Sequence, residues 1–375
     1  MQLSVIILNY NVRYFLEQCV LSVQKALEGI DGEIIVIDNN SSDDSCAMMQ
    51  QLFPEVKLIA NTENLGFPKG NNIGVSQAKG EYICILNPDT IVAEDTFSMI
   101  LNPINWTPET GIIGCKLIDG AGNFLPESKR GIPTPWVSFT KIFGLYKISN
   151  LFGKYYAQHL SKDQSGKVEI LVGAFMVMKR DLYTKIGGFD ENCFMYSDDI
   201  DLSYLVLQEG KYNYYFHDTT VIHFKGESTV RDGTYMKRFQ EAMNFFYRKH
   251  FKVSFFFSFF MKIGIVLFSF FKRFQGNVTE KIQPDAYFLV TENPNKESLI
   301  KDFESKFGPK FTEVLDPSIK TEFILDLSTI SCKKAIHFME DNKGKNHTFK
   351  LISSNATFII GSNNSNDRGE VLVLE

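Results

Sequence analysis

Several short polar clusters in this chain carry groups that could do chemistry. Asp198 and Asp199 stand side by side where a helical pattern begins, and Asp89 belongs to the tetrapeptide Asn87-Pro88-Asp89-Thr90. His223 ends the apolar run Val221-Ile222-His223, and Asp38 leads Asp38-Asn39-Asn40-Ser41-Ser42-Asp43-Asp44. Carboxylate oxygens are what hard cations such as Mg2+ prefer, and a positioned carboxylate can act as a general base. Each cluster also has a plainer reading. Asn and Asp favour turns, and acidic residues following Ser197 are ordinary capping and dipole partners of a helix. Taken alone, His223 reads first as a satisfied structural histidine. The helix N-terminus is expected to depress the pKa of Asp198 and Asp199, favouring their ionised forms.

Alternating strand and helix patterns must position these groups. Leu3 to Leu8 is a continuous apolar run of strand length, as a buried parallel strand should be. Phe15, Leu16, Cys19, Val20, Val23, Ala26 and Leu27 then recur at helical spacing. The rhythm continues with a strand over 33–37, a helix over 45–53, a strand over 56–60, a helix over 70–78 and a strand over 82–86. It predicts right-handed βαβ units and a doubly wound sheet, whose ligands bind at the carboxyl ends of the strands. Asn9-Tyr10-Asn11, Asp38 to Asp44, Asn61 to Asn72 and Asn87 to Thr90 all fall at such ends. One edge of the sheet therefore gathers Asn and Asp side chains. Further on, the looser stretch 119–166 reads as an insertion that shapes a cleft. Residues 168–178 read as a strand with Gly173-Ala174 in its middle, and 198–208 as a helix stopped by Gly210.

Composition narrows the function classes. At roughly 150 residues per domain, 375 residues predict two or three domains. Hydrophobic residues at 44% and charged residues at 22% are those of an ordinary globular protein, neither disordered nor fibrous. A net charge of -5 argues against a nucleic-acid footprint. No GxGxxG follows the first strand and no P-loop pattern exists, which disfavours a dinucleotide oxidoreductase and phosphoryl transfer by that route. The six cysteines are scattered without CxxC pairs, which points to a reducing compartment. Residues 1–10 lack the pattern of a signal peptide, so the expected location is the cytoplasm.

The 34 Phe are concentrated, with ten of them between Phe251 and Phe274. No acidic residue lies between Glu241 and Glu280, yet Arg248, Lys249, Lys252, Lys262, Lys272 and Arg273 do. Residues 253–271 approach the roughly 20 residues that span a bilayer, but a central lysine would cost about 3 kcal/mol. Basic flanks favour a helix lying on the inner face of the cytoplasmic membrane; a spanning helix and a buried core helix are the alternatives. From about residue 276 a separate small α/β unit is expected, with strands over 286–290, 322–327 and 355–360 and a helix over 296–307. The expected organisation is 1–245, then a membrane-associating segment 246–275, then 276–375, whose task the sequence does not disclose.

The loops resemble those of the family 2 glycosyltransferases over about residues 1–250. The resemblance is carried by Val5 to Asn11, Asp38 to Asp43, Asn64-Leu65-Gly66-Phe67 with Gly70-Asn71-Asn72, and Leu86-Asn87-Pro88-Asp89, the last most similar to a rhamnosyltransferase-like branch. Gly173-Ala174-Phe175, Gly187-Gly188-Phe189-Asp190, Asp198-Asp199 and Val221-Ile222-His223 follow in the family's order. The resemblance implies a GT-A doubly wound mixed sheet and inverting, metal-dependent transfer from a nucleotide-sugar donor. It implies Asp199 as the general base, and Asp89 and His223 as ligands of Mg2+ or Mn2+. Asn9, Asn11, Asp38, Asn40, Asn64, Gly66, Lys69, Asn71, Asn87 and Asp198 are implied to bind the nucleotide sugar. Asn87 stands where the family's motif has its first Asp, and Asp198 where it has Glu. The donor implied is thymidine diphosphate-rhamnose and the acceptor a glycan or lipid-linked glycan. A hexose or N-acetylhexosamine donor, or a non-catalytic sugar-nucleotide-binding scaffold, is the alternative.

Overall fold

The computed structural model describes residues 1–134, 137, 154–194, 196–225, 233–251, 284–308, 311–312, 319–344, 346–363 and 369–374. The chain opens with β1 (Leu3–Asn9), α1 (Arg13–Ala26), β2 (Gly32–Asp38), α2 (Ser45–Leu52), β3 (Lys57–Ala60), α3 (Gly66–Ser76), β4 (Tyr82–Leu86) and β5 (Thr90–Ile91). It continues with α4 (Thr96–Ile100), β6 (Thr110–Ile118), β7 (Gly166–Val168), β8 (Phe175–Lys179) and α5 (Arg180–Lys185). Then come α6 (Asp198–Gln208), β9 (Tyr212–His223) and α7 (Gly233–His250). These strands make a nine-stranded mixed sheet in the order β3-β2-β1-β4-β8-β6-β9-β5, with β7 paired to β9. β3, β2, β1 and β4 run parallel, β8 is antiparallel to β4 and β6, and β5 is antiparallel to β9.

The apolar run of β1 is buried along its whole length, because helices cover both faces of the sheet. Val5 and Ile7 pack in a cluster with Leu16, Cys19, Val20 and Val23 of α1. Ile6 and Leu8 face the other way, onto Val75 beside Leu202 and Val206 of α6. The helix expected over 70–78 begins at Gly66 instead. Pro68 suits a first helical turn, where its missing N–H costs nothing. Residues 168–178 are not one strand. β7 and β8 flank an irregular stretch, 169–174, whose backbone groups serve the site described below.

A second sheet follows, built from β10 (Ala286–Val290), α8 (Lys296–Phe307), β11 (Thr321–Asp326), α9 (Cys332–Asn342), β12 (Thr348–Ile352), β13 (Phe358–Gly361) and β14 (Glu370–Val373). Its order is β10-β11-β12-β13-β14. It does not stand apart from the first sheet. Phe323, Leu325, Ala335, Ile336 and Phe349 share a core with Phe15, Ile91, Ile118, Ile222 and Phe224. Polar contacts ring that core. Glu94 accepts the backbone N–H groups of Cys332 and Lys333 at 2.6 and 3.0 Å, capping α9 from outside. Gln18 exchanges two hydrogen bonds with Ser354, and Asn355 donates to the buried Glu17.

The Phe-rich stretch proposed to meet the membrane lies, beyond Phe251, outside the described residues. Phe246 and Tyr247 at its start are buried against Ile170 and Ile200. Among the described residues, no helix is long and apolar enough to cross a membrane.

Candidate active site

The parallel register of β1 and β2 sets Asn9 opposite Asp38. Asn9 Nδ2 donates to Asp38 Oδ2 at 2.7 Å and to Ser41 Oγ at 3.1 Å. Ser41 returns its backbone N–H and its hydroxyl to Asp38 at 2.8 and 2.7 Å. Asp38 is thus buried with both oxygens engaged, and among the described residues the buried Asn9 side-chain oxygen has no hydrogen-bond partner. Asn11 (φ 57°) and Asn40 (φ 64°) take the left-handed backbone that Asn tolerates. Asn11 Oδ1 accepts the Ser42 N–H at 2.7 Å, and Asn40 is exposed.

Asn39 joins this corner to the third loop, donating to Asn64 Oδ1 at 3.3 Å and to the Gly66 carbonyl at 3.1 Å. Gly66 opens α3 at φ 80°, a conformation that favours glycine. Asn71 is buried within α3. Its Nδ2 donates to the Phe67 carbonyl at 2.9 Å, and its Oδ1 has no partner among the described residues. Lys69 is exposed. Asn72 fastens α3 to the turn after α5, accepting from Tyr183 Oη at 2.5 Å and donating to the Phe189 carbonyl at 2.9 Å.

A second cluster forms where β4 ends beside β9. Asn87 Nδ2 lies 3.3 Å from His223 Nε2, and Asp89 Oδ1 lies 3.4 Å from the same nitrogen. Thr90 pairs with His223 in the β5–β9 ladder, and the Phe224 N–H donates to the Asp89 carbonyl. The Asp89 and His223 side chains are buried and Asn87 is half-buried, and among the described residues Asn87 Oδ1 and His223 Nδ1 have no hydrogen-bond partner. Among the described residues no group of three or more His, Cys, Asp or Glu is placed to hold a metal. One carboxylate, one imidazole and an orphaned amide oxygen do fit a hard cation that takes the rest of its sphere from phosphate and water.

The third cluster begins α6. Asp198, Asp199 and Asp201 occupy its first turn. The expected depression of both adjacent carboxyls is overturned at Asp198, whose pKa is pushed up to about 7. Burial and the neighbouring Asp199 charge outweigh the backbone N–H groups and Arg130 that pull it down. Asp199 Oδ2 receives Arg130 Nη2 at 2.6 Å and the Gly173 N–H at 3.1 Å. A Cβ on Gly173 would lie 3.3 Å from Asp199 Cβ, 3.6 Å from the Phe67 ring and 3.7 Å from Asp198 Oδ2. Gly173 thus packs directly against both acids and Phe67. Asp201 is fully buried and holds Lys249 at 2.9 Å and His250 at 2.5 Å, which ties the start of α6 to the end of α7.

Gly173 and Ala174 connect the second and third clusters, since the Asn87 N–H donates to the Ala174 carbonyl at 3.0 Å. The carboxyl-end residues of β1, β2, β4 and β9 and the start of α6 thus border one edge of the sheet. Ser41, Asn39, Gly173 and Arg130 were not among the residues selected from sequence. The first three sit inside the polar run Asp38 to Asp44 and the pair Gly173-Ala174. Arg130 carried no such signal, being 69 residues from its partner.

Residues 4–187 match the family model of glycosyl transferase family 2. Over 241 residues the chain is 25% identical to the N-acetylglucosaminyl-diphospho-decaprenol L-rhamnosyltransferase of Mycobacterium tuberculosis, covering 61% of this chain and 78% of that one. It is 30% identical over 168 residues to the GalNAc(5)-diNAcBac-PP-undecaprenol beta-1,3-glucosyltransferase of Campylobacter jejuni, covering 44% and 54% of the two chains. Among solved structures, a mannosyltransferase of Pyrobaculum calidifontis in complex with GDP-Man and Mn2+ superposes with a TM-score of 0.45 at 18% identity, covering 64% of this chain and 61% of that one.

Proposed function

Residues 4–187 are a family 2 glycosyltransferase domain, and from that premise we propose that the chain is an inverting transferase moving a sugar from a nucleoside diphosphate donor to an acceptor hydroxyl. The observation that carries the reading is Asp199. One of its oxygens is held by Arg130 and Gly173, and Gly173 and Ala174 connect it to the Asn87, Asp89 and His223 cluster. As the acceptor oxygen bonds to the sugar's anomeric carbon, Asp199 takes the hydroxyl proton, and the bond to the diphosphate breaks with its electron pair leaving on the diphosphate oxygen.

Asn9, Asn11, Asp38, Asn40, Asn64, Gly66, Lys69, Asn71, Asn87 and Asp198 would bind the nucleotide sugar. Asp89 and His223, with the Asn87 side-chain oxygen Oδ1, would hold Mg2+ or Mn2+, which when bound neutralises charge on the departing diphosphate. The donor assigned is thymidine diphosphate-rhamnose. Support comes from the name of the mycobacterial relative and from the Asn-Pro-Asp form of the β4 loop. A hexose or N-acetylhexosamine donor is the alternative reading, supported by the Campylobacter relative's name. Both names specify polyprenol-linked acceptors, which fits a lipid-linked glycan here and peripheral attachment through the part of 246–275 beyond Phe251, since Phe246 and Tyr247 pack on the catalytic unit.

The test is donor hydrolysis by the purified chain with Mg2+ or Mn2+ across a panel of nucleotide sugars. Release of nucleoside diphosphate from one donor is expected. It should fall by about 10²-fold or more in Asp199→Asn, the scale of general-base catalysis, and fall also in Asp89→Ala. Full turnover in Asp199→Asn would remove the base assignment. No release from any donor despite a nucleotide-induced thermal shift would leave the sugar-nucleotide-binding scaffold in its place.

A further inference from the structure

Arg130 is a buried guanidinium in a segment that contributes no other group to the site. Burying such a cation costs several kcal/mol unless geometry and hydrogen bonding compensate, so what surrounds it indicates what it is for. Its backbone is locked to Ile170 by a two-way bridge, N–H to carbonyl at 2.9 Å in each direction. Its Nη2 donates to the Leu171 carbonyl at 3.0 Å and to Asp199 Oδ2 at 2.6 Å. Two residues on, the Gly173 N–H donates to the same Oδ2. One irregular stretch, 170–173, therefore fixes the arginine's backbone, its guanidinium and its partner's carboxylate together. Among the described residues Asp199 Oδ1 has no hydrogen bond, and the side chain keeps 11% of its surface exposed.

We propose that Arg130 is the positioning residue of Asp199: its guanidinium holds Oδ2 so that Oδ1 is presented to the acceptor hydroxyl, and its charge decides which of two adjacent acids is ionised. This rests on the base assignment above. Two neighbouring buried carboxylates do not both ionise easily, and the proton should sit on the one without the cation. The direction at Asp198 agrees, its carboxyl being pushed up by burial and by Asp199. The other charged or titratable groups around the pair are accounted for. Glu127 is paired with Lys225, Asp201 with Lys249 and His250, and Tyr155 and Cys193 stand near Arg130 and Asp198 respectively.

The experiment compares wild type with Arg130→Met and Arg130→Lys, reading kcat, donor KM and the pH dependence of kcat, with and without added guanidinium. The expected result for Arg130→Met is a kcat loss of about 10²-fold with donor KM little changed. With the cation gone from Oδ2, the acid limb of kcat should move up in pH. Guanidinium should restore part of the activity, and Arg130→Lys should fall between. A pH profile superposable on wild type, or a kcat loss that guanidinium does not relieve, overturns the proposal. If Arg130→Met does not melt cooperatively, the same readings on Arg130→Lys decide. Full turnover in Asp199→Asn would instead remove the base reading itself, whatever Arg130 does.

Discussion

Asp198 and Asp199 are consecutive, share a helix turn, and are set apart by what touches them. Asp199 has a guanidinium and a backbone N–H on one oxygen. Asp198 is buried beside that charge, and its carboxyl titrates near neutrality, at about 7. Because its folded pKa is raised above the unfolded value, the folded state binds this proton more tightly. That contribution to stability is fully present below the unfolded pKa, near 4, and is lost as pH rises through about 7. Asp198→Asn removes the titration while keeping the shape. Its Tm relative to wild type is expected to rise from pH 5 to pH 8 and then level off, which a melting series at fixed ionic strength checks. A difference independent of pH would place the extra proton elsewhere.

At the scale of elements, the start of α6 is held by its neighbour. Asp201 lies two residues past Asp199 and binds Lys249 and His250 at the end of α7. Removing one partner of a buried ion pair typically costs 3–5 kcal/mol. Lys249 keeps Asp190 and is partly exposed, so Asp201→Ala is expected to cost about 2 kcal/mol, read as a shift of the urea midpoint at constant slope. An unchanged midpoint would mean that the pairs contribute nothing.

Long uniform patterns were readable from sequence. β4, α6, β10 and α8 fall on the residues their periodicity marks. β9 was not foreseen, because Tyr212 to His223 mixes polar and apolar residues and its pairing with β6 shifts register midway. α3 starts four residues ahead of its periodic pattern, because Gly66 and Pro68 read as loop in the sequence. The polar edge of the sheet was legible because each loop follows its own strand. Arg130 was not, because the bridge from Arg130 to Ile170 that delivers it to Asp199 joins segments no local pattern connects.

For the whole molecule, the expected separate tail is packed into a common core with the first sheet. Phe15, Ile91, Ile118, Ile222 and Phe224 lie under Phe323, Leu325, Ile336 and Phe349. Each large apolar side chain left uncovered costs about 1.5–3 kcal/mol. A chain ended before Pro284 is therefore expected to lose cooperative unfolding, and with it any nucleotide-induced thermal shift. A truncated chain that melts like the full one would show the sheets to be independent.

His223 and the two residues flanking it give β9 two allegiances. Ile222 and Phe224 belong to the core shared with the second sheet, while His223 lies against Asn87 and Asp89. Anyone recombining this molecule with its relatives inherits that arrangement. A tail transplanted from another transferase would arrive as part of the floor beneath a candidate ligand, so a graft that spares every residue of the active site could still reshape it from below. The workable seam for such hybrids runs around the Phe15–Phe224 face and the Glu94 cap, so the partners of both must be exchanged as one block.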